Sequence, residues 1–321
     1  MERRKNDAAT NGMRLKSGAR LKKHLLDNWQ YLLMVLPGLV CVICFCYLPM
    51  FGVTIAFKSI DYAKGIWGSP WVGFENFKFL FKNPDVLVIL RNTLGYNIIN
   101  IILGTVINVG IAIMFSQLLN KKMGKLYQTI VMLPHFLSWI VVSYIVKAFL
   151  DYRLGSVNTM LTKLGVEAVD WYSNVGVWPF FLVFINQWKS FGYGSVVYVA
   201  AIAGIDTSLY EAAAIDGANK RQLVRYITIP ELANIVIIMT ILSIGNLLSA
   251  NFSLYYNIPM DSGALYPATN VISTFVFRAL KINNDVGMSS AASFLQSVVG
   301  FVLVMGTNMI VRRIDSDKAL F

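Results

Sequence analysis

Six stretches of the sequence are long enough and apolar enough to cross a lipid bilayer, and this feature constrains the fold more than any other. A helix needs roughly 20 mostly apolar residues to cross about 30 Å of hydrocarbon. None of the six contains Asp or Glu, and only Lys147 and Lys189 carry a formal charge within them. The predicted spans are Leu32–Phe57, Thr93–Leu119, Leu126–Leu150, Val177–Ala203, Leu232–Tyr256 and Met288–Val311.

These apolar runs are continuous, whereas the strands of a membrane barrel alternate apolar and polar residues. The whole chain is also unusually apolar, since 56% of its residues are hydrophobic and 14% are charged. Soluble proteins average about 45–50% apolar and about 25% charged residues. The sequence therefore predicts an all-α membrane protein with six transmembrane helices.

The distribution of Lys and Arg predicts the orientation of these helices. Residues 1–28 contain eight basic residues, and the segments that share their side of the membrane bring the total to 17, against 10 in the three loops on the other side. Basic residues concentrate on the cytoplasmic side, so both termini are expected there. The expected organisation is a basic cytoplasmic segment 1–28, a membrane domain 29–311 and a cytoplasmic tail 312–321. The net charge of +11 then reflects topology in the bilayer and not nucleic-acid binding.

The sequence offers no set of residues that could hydrolyse ATP, couple transport to protons or catalyse a reaction. No Gly-x4-Gly-Lys-Ser/Thr phosphate loop is present, and the acid-free spans lack the carboxylates that proton-driven transporters commonly use. Cys41, Cys44 and Cys46 lie in the first span without His or acidic neighbours, and they are interpreted as packing residues. We expect no catalytic residue, no metal site and no cofactor in this chain, which is not an enzyme. Energy for uphill transport would have to come from another protein.

Two local features allow alternative interpretations. Phe74, Phe77 and Phe81 have helical spacing in the first outside loop, which predicts a short helix at the membrane surface. The same aromatic residues could instead form a platform for a sugar. Pro134 predicts a kink in the third span, and the adjacent His135 is interpreted as a packing residue, with a proton relay as the alternative.

The segment 205–230, between the fourth and fifth spans, combines several helix signals on the cytoplasmic side. Asp206, Thr207 or Ser208 can cap a helix, and Glu211 stands three residues after Ser208, as in a capping box. Gly217 suits a C-cap or a tight turn, and a second polar segment is expected to end at Pro230. From the residues alone, this segment is either an ordinary connection or a helix that fits a groove on a partner.

The spacing of residues in this segment resembles a known signature. Glu211-Ala212-Ala213, three residues, Gly217, nine residues and then Ile227-Thr228-Ile229-Pro230 are similar to the EAA motif of permease subunits in binding-protein-dependent ABC importers, with Ile229 in place of Leu. The resemblance implies the type I ABC importer permease fold, with this loop as the coupling helix in a cleft of the nucleotide-binding subunit. The residues to which it assigns this role are Glu211, Ala212, Ala213, Asp216, Gly217 and Pro230.

Other segments extend the resemblance over nearly the whole chain. Leu36-Pro37-Gly38, Asn92-Thr93 and Leu133-Pro134 look like the carbohydrate branch of these permeases. Gln296-Ser297-Val298-Val299-Gly300 is most similar to the LplB-type group, which is assigned to polysaccharides and oligosaccharides.

Polar side chains in the spans are candidates for a substrate path, because burying a polar group in a membrane is costly. The alternative is hydrogen bonding between helices, which is common in bundles. Asn186, Ser190, Tyr193 and Ser243 fall where a similar maltose-type permease contacts its sugar. Positions 247 and 250, also expected there, hold Leu and Ala. The candidates are Asn186, Trp188, Lys189, Ser190, Tyr193, Ser243, Asn246 and Asn251.

The resemblance also implies partners and a location. The chain is expected to be a multi-pass protein of a prokaryotic plasma membrane that carries an oligosaccharide or a polysaccharide fragment. Its expected partners are a second permease, two ATP-binding-cassette subunits that hold ATP and Mg, and an extracytoplasmic solute-binding protein. A permease for another polar solute, or a non-transporting scaffold or sensor, are the alternatives. Lys189 would suit an acidic sugar.

Overall fold

The computed structural model describes residues 28–78, 84–118, 120–315 and 319–320, which are helical almost throughout. Within this part of the chain, strand pairing is limited to one isolated bridge between Lys58 and Trp71. The all-α prediction is thus confirmed for the described residues. The main helices are α1 Trp29–Phe57, α2 Val86–Ser116, α3 Lys121–Phe136, α4 Trp139–Leu150, α5 Ser156–Lys163, α6 Trp178–Ala203, α7 Thr207–Ile215, α8 Lys220–Gly245, α9 Phe252–Asn257, α10 Ile272–Asn283 and α11 Val286–Ile314. Single turns of helix lie at Gly65–Gly68, Glu75–Phe77, Val175–Val177, Gly263–Leu265 and Tyr266–Thr269.

Four helices of the described residues, α1, α2, α8 and α11, are each long and apolar enough to cross a membrane. Two bent pairs, α3 with α4 and α6 with α7, raise the number to six if each pair forms one span. The described residues divide into two compact units, with the boundary between Ile55 and Ala56. Residues 1–27 of the basic N-terminal segment lie outside the described residues, and so do 316–318 and 321 of the predicted tail.

The third predicted span, Leu126–Leu150, is not one continuous helix. α3 ends at Phe136 and α4 begins at Trp139, with an angle of 92° between the two helices. Pro134 agrees with the predicted kink, but the break extends to Leu137 and Ser138, whose backbones are extended. The Ser138 hydroxyl accepts a hydrogen bond from the Val141 N–H at 3.2 Å and so caps the start of α4.

The fifth predicted span, Leu232–Tyr256, is also interrupted. α8 ends at Gly245 and α9 begins only at Phe252. The carbonyls of the intervening turn bond to other helices, because Asn97 Nδ2 of α2 donates to the Leu247 oxygen at 2.6 Å and Gln296 Nε2 of α11 donates to the Leu248 oxygen at 2.7 Å. These two side chains provide the hydrogen bonds that a continuous helix would otherwise supply.

The start of α8, the helix of the fifth predicted span, also differs from the prediction. The second polar segment does not end at Pro230, because α8 runs from Lys220 through Pro230 to Gly245 without a break. A π turn over Val224–Thr228 precedes the proline, and the Ile229 N–H donates to the Val224 carbonyl five residues earlier. A proline ring clashes with the carbonyl four residues before it, and widening the helix by one residue accommodates the ring. α1 has the same arrangement, with a π turn over Ile43–Tyr47 before Pro49.

The predicted surface helix at Phe74–Phe81 is shorter than its spacing suggested. A single 3-10 turn covers Glu75–Phe77, and Phe81 lies outside the described residues. The rings of Phe57, Phe74 and Phe77 contact one another, and those of Phe57 and Phe77 also contact Phe294 of α11, at ring distances between 5.4 and 6.2 Å. The aromatic residues therefore join this loop to α11.

Helix packing in the second unit is close where glycines face another backbone. α6 packs along α2 and α3, and α8 packs along α11. A Cβ on Gly300 of α11 would lie 2.5 Å from the Gly245 carbonyl oxygen of α8, so this contact requires glycine. A buried cluster that includes Trp178, Leu182 and Tyr255 packs the start of α6 against α9.

Candidate functional site

The segment between α6 and α8, residues 205–219, is built almost entirely from local hydrogen bonds. Asp206 caps α7, since its Oδ1 accepts from the Ser208 N–H at 2.9 Å. This hydrogen bond lowers the pKa of the Asp206 carboxyl below its usual range, because it stabilises the charged form. The predicted capping box between Ser208 and Glu211 is not the cap of α7. A capping box does form at the start of α8, where Asn219 and Gln222 each bond to the other's backbone N–H, at 3.0 and 2.7 Å.

Gly217 ends α7 in the way that the sequence predicts. Its φ is +81°, in the left-handed region that favours glycine. The Ala218 N–H donates to the Ala213 carbonyl at 2.9 Å and the Gly217 N–H to the Ala214 carbonyl at 3.1 Å, which is the pattern of a Schellman C-cap. The chain therefore reverses at Gly217 with the last carbonyls of α7 satisfied.

The residues of the predicted coupling loop lie on an accessible surface. Glu211, Ala212, Asp216, Gly217 and Pro230 are exposed, and Ala213 is half-buried. Beside them, Ile215 is 87% exposed and adds an apolar side chain to this surface. α7 is bent by 68° from α6. It is joined to α8 by a hydrogen bond of 3.0 Å between the hydroxyls of Tyr210 and Thr228.

The second candidate site is a polar cavity of about 460 Å³ between α2, α6, α8 and the turn that follows α8. This size is typical of ligand pockets, which range over roughly 300–1,000 Å³. Nine of its fourteen lining residues carry a carboxamide or a hydroxyl group. Its lining residues are Asn97, Asn100, Ile101, Gly104, Thr105, Asn108, Tyr193, Gly194, Val197, Tyr198, Met239, Ser243, Asn246 and Ser249.

Three of the eight residues predicted for the substrate path line this cavity: Tyr193, Ser243 and Asn246. Asn246 and Ser249 also line a neighbouring cavity of about 560 Å³ that reaches Ser293 and Ser297 of α11. Asn246 thus lies where the two cavities meet.

The other five predicted residues are absent from the cavity lining. Asn251 caps α9 by accepting from the Leu254 N–H at 3.3 Å, and Trp188 packs against the buried cluster around Trp178. Lys189 is 7% exposed, and its Nζ donates to the His135 carbonyl oxygen at 2.7 Å. Asn186 and Ser190 lie on the same helix as Tyr193, outside the lining.

The sequence analysis missed the contribution of α2 to the cavity. Asn97, Asn100, Gly104 and Asn108 recur at intervals of three and four residues, so they share one face of the helix. Asn100 is held in place by Gln187 of α6, whose Nε2 donates to its Oδ1 at 3.0 Å. This row of carboxamides in an otherwise apolar helix is the signal that could have identified the wall.

The structure gives no indication of a metal centre in the part that it describes. No group of three or more His, Cys, Asp or Glu residues is placed there to hold a metal ion. His135 has a packing contact, because its ring stacks on Tyr193 with a centroid distance of 4.3 Å and an interplanar angle of 6°.

Comparison with known proteins gives one family and several relatives. Residues 100–316 match the family model described as a binding-protein-dependent transport system inner membrane component. The chain is similar to Protein LplB of Bacillus subtilis, with 32% identity over 91% of each chain. It is also similar to the polygalacturonan/rhamnogalacturonan transport system permease protein YteP of the same organism, with 29% identity over 93% of this chain and 92% of that protein.

Among solved structures, the chain is similar to a subunit of a bacterial ABC transporter involved in the import of the acidic polysaccharide alginate. The TM-score is 0.82 with 31% identity, and the match covers 92% of this chain and 99% of the other. A second structure of a bacterial alginate ABC transporter, in complex with an alginate pentasaccharide-bound periplasmic protein, matches with a TM-score of 0.81, 30% identity and coverage of 92% and 98%.

Proposed function

The chain belongs to the family of binding-protein-dependent transport system inner membrane components, and we propose that it is the permease subunit of an ABC importer that carries an oligosaccharide or polysaccharide fragment into the cell. Transport is driven by ATP hydrolysis on a separate subunit, which holds ATP and Mg. The observation that carries this proposal is the exposed, fully capped α7 with Glu211 on its surface, on a chain whose relatives are importer permeases.

The proposed topology has six spans with both termini in the cytoplasm of a prokaryotic cell. The two bent pairs, α3 with α4 and α6 with α7, then provide the third and fourth spans. The excess of Lys and Arg in residues 1–28 and 312–321 supports this orientation. Residues 29–311 form the permease domain, and residues 205–230 form its cytoplasmic coupling loop.

The coupling residues are proposed to be Glu211, Ala212, Ala213, Asp216, Gly217 and Pro230. A short helix with exposed alanines can enter a groove closely, since methyl side chains allow two backbones to approach. The exposed Ile215 adds an apolar contact, and the Glu211 carboxylate can pair with a basic group of the ATPase. ATP-driven movement of the partner then acts on α6 and α8, to which α7 is joined.

The polar cavity is proposed to be part of the sugar path. Carboxamides donate and accept hydrogen bonds, as do the hydroxyls of a sugar, and Tyr193 and Tyr198 add ring surface. Tyr193, Ser243 and Asn246 face the sugar directly in this proposal, and Asn186, Trp188, Lys189, Ser190 and Asn251 support the helices around it. The names of the relatives, which transport polygalacturonan/rhamnogalacturonan and alginate, support a carbohydrate substrate.

The proposed assembly has a second permease of similar fold, two ATP-binding-cassette subunits and an extracytoplasmic solute-binding protein. The alginate transporter that this chain resembles was solved with a periplasmic protein that carries the pentasaccharide. A cavity that the second permease completes would enclose the sugar between the two subunits.

The proposal is tested by reconstituting the chain with its partner subunits in lipid and measuring ATP hydrolysis with a panel of neutral and acidic oligosaccharides, each presented by the binding protein. We expect Glu211→Arg to reduce stimulated hydrolysis to the unstimulated level, because it places a cation against the basic groove. Glu167→Arg, at an exposed position in the loop after α5, is the matched control and should keep normal stimulation. Normal stimulation in Glu211→Arg would refute the docking role. Stimulation by none of the oligosaccharides in the panel would count against a carbohydrate substrate and favour the alternative of another polar solute.

A further inference from the structure

Lys189 is a buried cationic side chain for which the sugar path provides no role. It lies in the middle of α6, 7% exposed, and its amine reaches away from the cavity lining toward the break between α3 and α4. A cation in a membrane-spanning helix is costly unless it has a partner. The geometry around Lys189 identifies that partner as a backbone carbonyl.

The amine makes two contacts at the break. Its Nζ donates to the His135 carbonyl oxygen at 2.7 Å, and it lies over the face of Trp139, 5.0 Å from the ring centroid. His135 is in the last turn of α3 and Trp139 is the first residue of α4. One side chain of α6 therefore contacts both helices of the bent pair.

The chemistry of a helix end explains why a cation belongs there. The last carbonyls of a helix have no N–H partner within it, and they carry partial negative charge. In a membrane such groups must be satisfied by the protein. Leu137 N–H bonds to the Pro134 carbonyl at 3.3 Å, and Lys189 satisfies the next carbonyl along the chain. The ring of Trp139 adds a favourable cation–π contact.

The same region of α6 holds α3 by two further contacts. A Cβ on Gly192 would lie 2.1 Å from the Val131 carbonyl oxygen, so the backbones of α6 and α3 touch there. One residue further, the Tyr193 ring stacks on His135 and also lines the cavity. The residue that carries the carbonyl bound by Lys189 therefore also supports the cavity wall.

We propose that Lys189 is a positioning residue that fixes the 92° bend between α3 and α4 and, through His135, the Tyr193 ring in the cavity wall. We name Lys189, His135 and Trp139 the hinge cluster. The expected effect of Lys189 on activity rests on the proposed transport function. The structural part of the inference, the angle of the bend, can be measured without any substrate.

The first measurement uses spin labels on the two helices of the bend in the full reconstituted complex. Met123 of α3 and Phe149 of α4 are exposed, so Met123→Cys and Phe149→Cys provide thiols for the labels. Cys41, Cys44 and Cys46 are first replaced by serine, so that they are not labelled. With a rise of about 1.5 Å per residue, straightening the bend would lengthen the separation by roughly 10 Å. We expect Lys189→Met to add a population at longer distance in the nucleotide-free state and with ATP and vanadate. Lys189→Arg, which keeps a cationic donor, should give the distribution of the parent.

The second measurement is ATP hydrolysis stimulated by the oligosaccharide that the panel identifies. In Lys189→Met we expect the maximal stimulated rate to fall about tenfold, with less than a twofold change in the KM for the loaded binding protein. Lys189→Arg should keep at least half of the rate. A parental distance distribution in Lys189→Met, or equal losses in Lys189→Met and Lys189→Arg, would overturn the inference.

Lys189→Met removes a charge from the span, so membrane insertion should be retained. If less complex assembles, Trp139→Leu provides the test, because it removes the ring beneath the amine and keeps Lys189 itself, and it should also lengthen the label distance. A parent complex that no oligosaccharide stimulates would count against the proposed function, while the label distances would still decide the role of Lys189.

Discussion

The coupling segment 205–219 and the polar cavity are built in opposite ways. Apart from the Tyr210–Thr228 bond to α8, the hydrogen bonds that shape α7 and the turn after it join residues at most five positions apart, such as Ala218 to Ala213. The cavity wall combines α2, α6, α8 and the turn after α8, and its bonds join residues as distant as Asn97 and Leu247. The first keeps its shape through local bonds, whereas the second exists only when the whole bundle is packed.

This difference fits two mechanical tasks. A docking helix must keep its shape while it moves with a partner, and local caps allow this because they move with the helix. A transport path must change its shape in each cycle, and walls on separate helices allow that, since small rotations of α2, α6 or α8 alter the cavity. The comparison predicts that single substitutions in the coupling segment can abolish function, while those in the cavity wall should be graded.

The largest expected effect is at Gly217. Proline requires a φ near −65°, whereas Gly217 has a φ of +81°, so Gly217→Pro cannot keep the turn between α7 and α8. We expect stimulated ATP hydrolysis to fall to the unstimulated level, while the variant is still inserted in the membrane. The measurement is ATP hydrolysis by the reconstituted complex, alongside the amount of permease in the membrane.

Two milder variants separate the turn geometry from loss of a contact. A Cβ at Gly217 would meet no atom within 4 Å, so an alanine methyl group fits there and only the backbone conformation is strained. Gly217→Asn should keep at least half of the activity, because asparagine tolerates the left-handed region, and Gly217→Ala should be intermediate, at a cost of about 1–2 kcal/mol. Equal activity in the proline and asparagine variants would contradict a local origin for this turn.

Much of the fold could be predicted from the sequence, because continuous apolar runs specify helices. Helices α1, α2, α6 and α11 cover four of the predicted spans to within a few residues, apart from an earlier start of α2 at Val86. The two interrupted spans could not be predicted in this way, since their free carbonyls are satisfied by side chains far away in sequence. Lys189 bonds at the break after α3, and Asn97 and Gln296 bond at the break after α8.

The same limit applies to predicting the two candidate sites from the sequence, because only roles that depend on neighbouring residues could be inferred. Asp206 and Gly217 act on their immediate neighbours, so their roles as cap and turn could be inferred from type and spacing. Whether Asn186 or Asn246 faces a cavity depends on how helices pack and rotate, which an apolar span does not specify when its polar residues are few. The carboxamide row on α2 is visible in the sequence, but the sequence does not show that this row faces α6 and α8.

The second prediction tests whether single substitutions in the cavity wall reduce transport partially instead of abolishing it. Asn246→Leu removes a carboxamide that lies where the two cavities meet. A lost hydrogen bond to a sugar costs about 1 kcal/mol, so the KM for transport of the stimulating oligosaccharide should rise about fivefold with little change in the maximal rate. The measurement is uptake into vesicles that contain the full complex.

Asn186→Leu is the matched control for this prediction. It makes the same substitution in α6 at a position that does not line the cavity, and its KM should stay within twofold of the parent. A larger rise in KM for Asn186→Leu than for Asn246→Leu would move the sugar path to the residues that the sequence pattern favoured.

The smallest expected effect is at the cap of α7, where it tests how far local bonds alone hold the coupling segment. Asp206→Ala removes the acceptor of the Ser208 N–H, so the backbone amides of the first turn of α7 should exchange with deuterium faster than in the parent complex, while Asp206→Asn, which also caps well, should preserve their protection. The pKa of Asp206 is lowered in the folded protein, so its contribution to stability is present above the unfolded pKa of about 3.9 and is lost only as the pH falls through the lower folded value. Protection of this turn, corrected for intrinsic exchange rates, should therefore be the same at pH 7 and pH 5. Loss of protection between these two pH values, or equal protection in the alanine and asparagine variants, would show that contacts beyond the segment hold α7 in place.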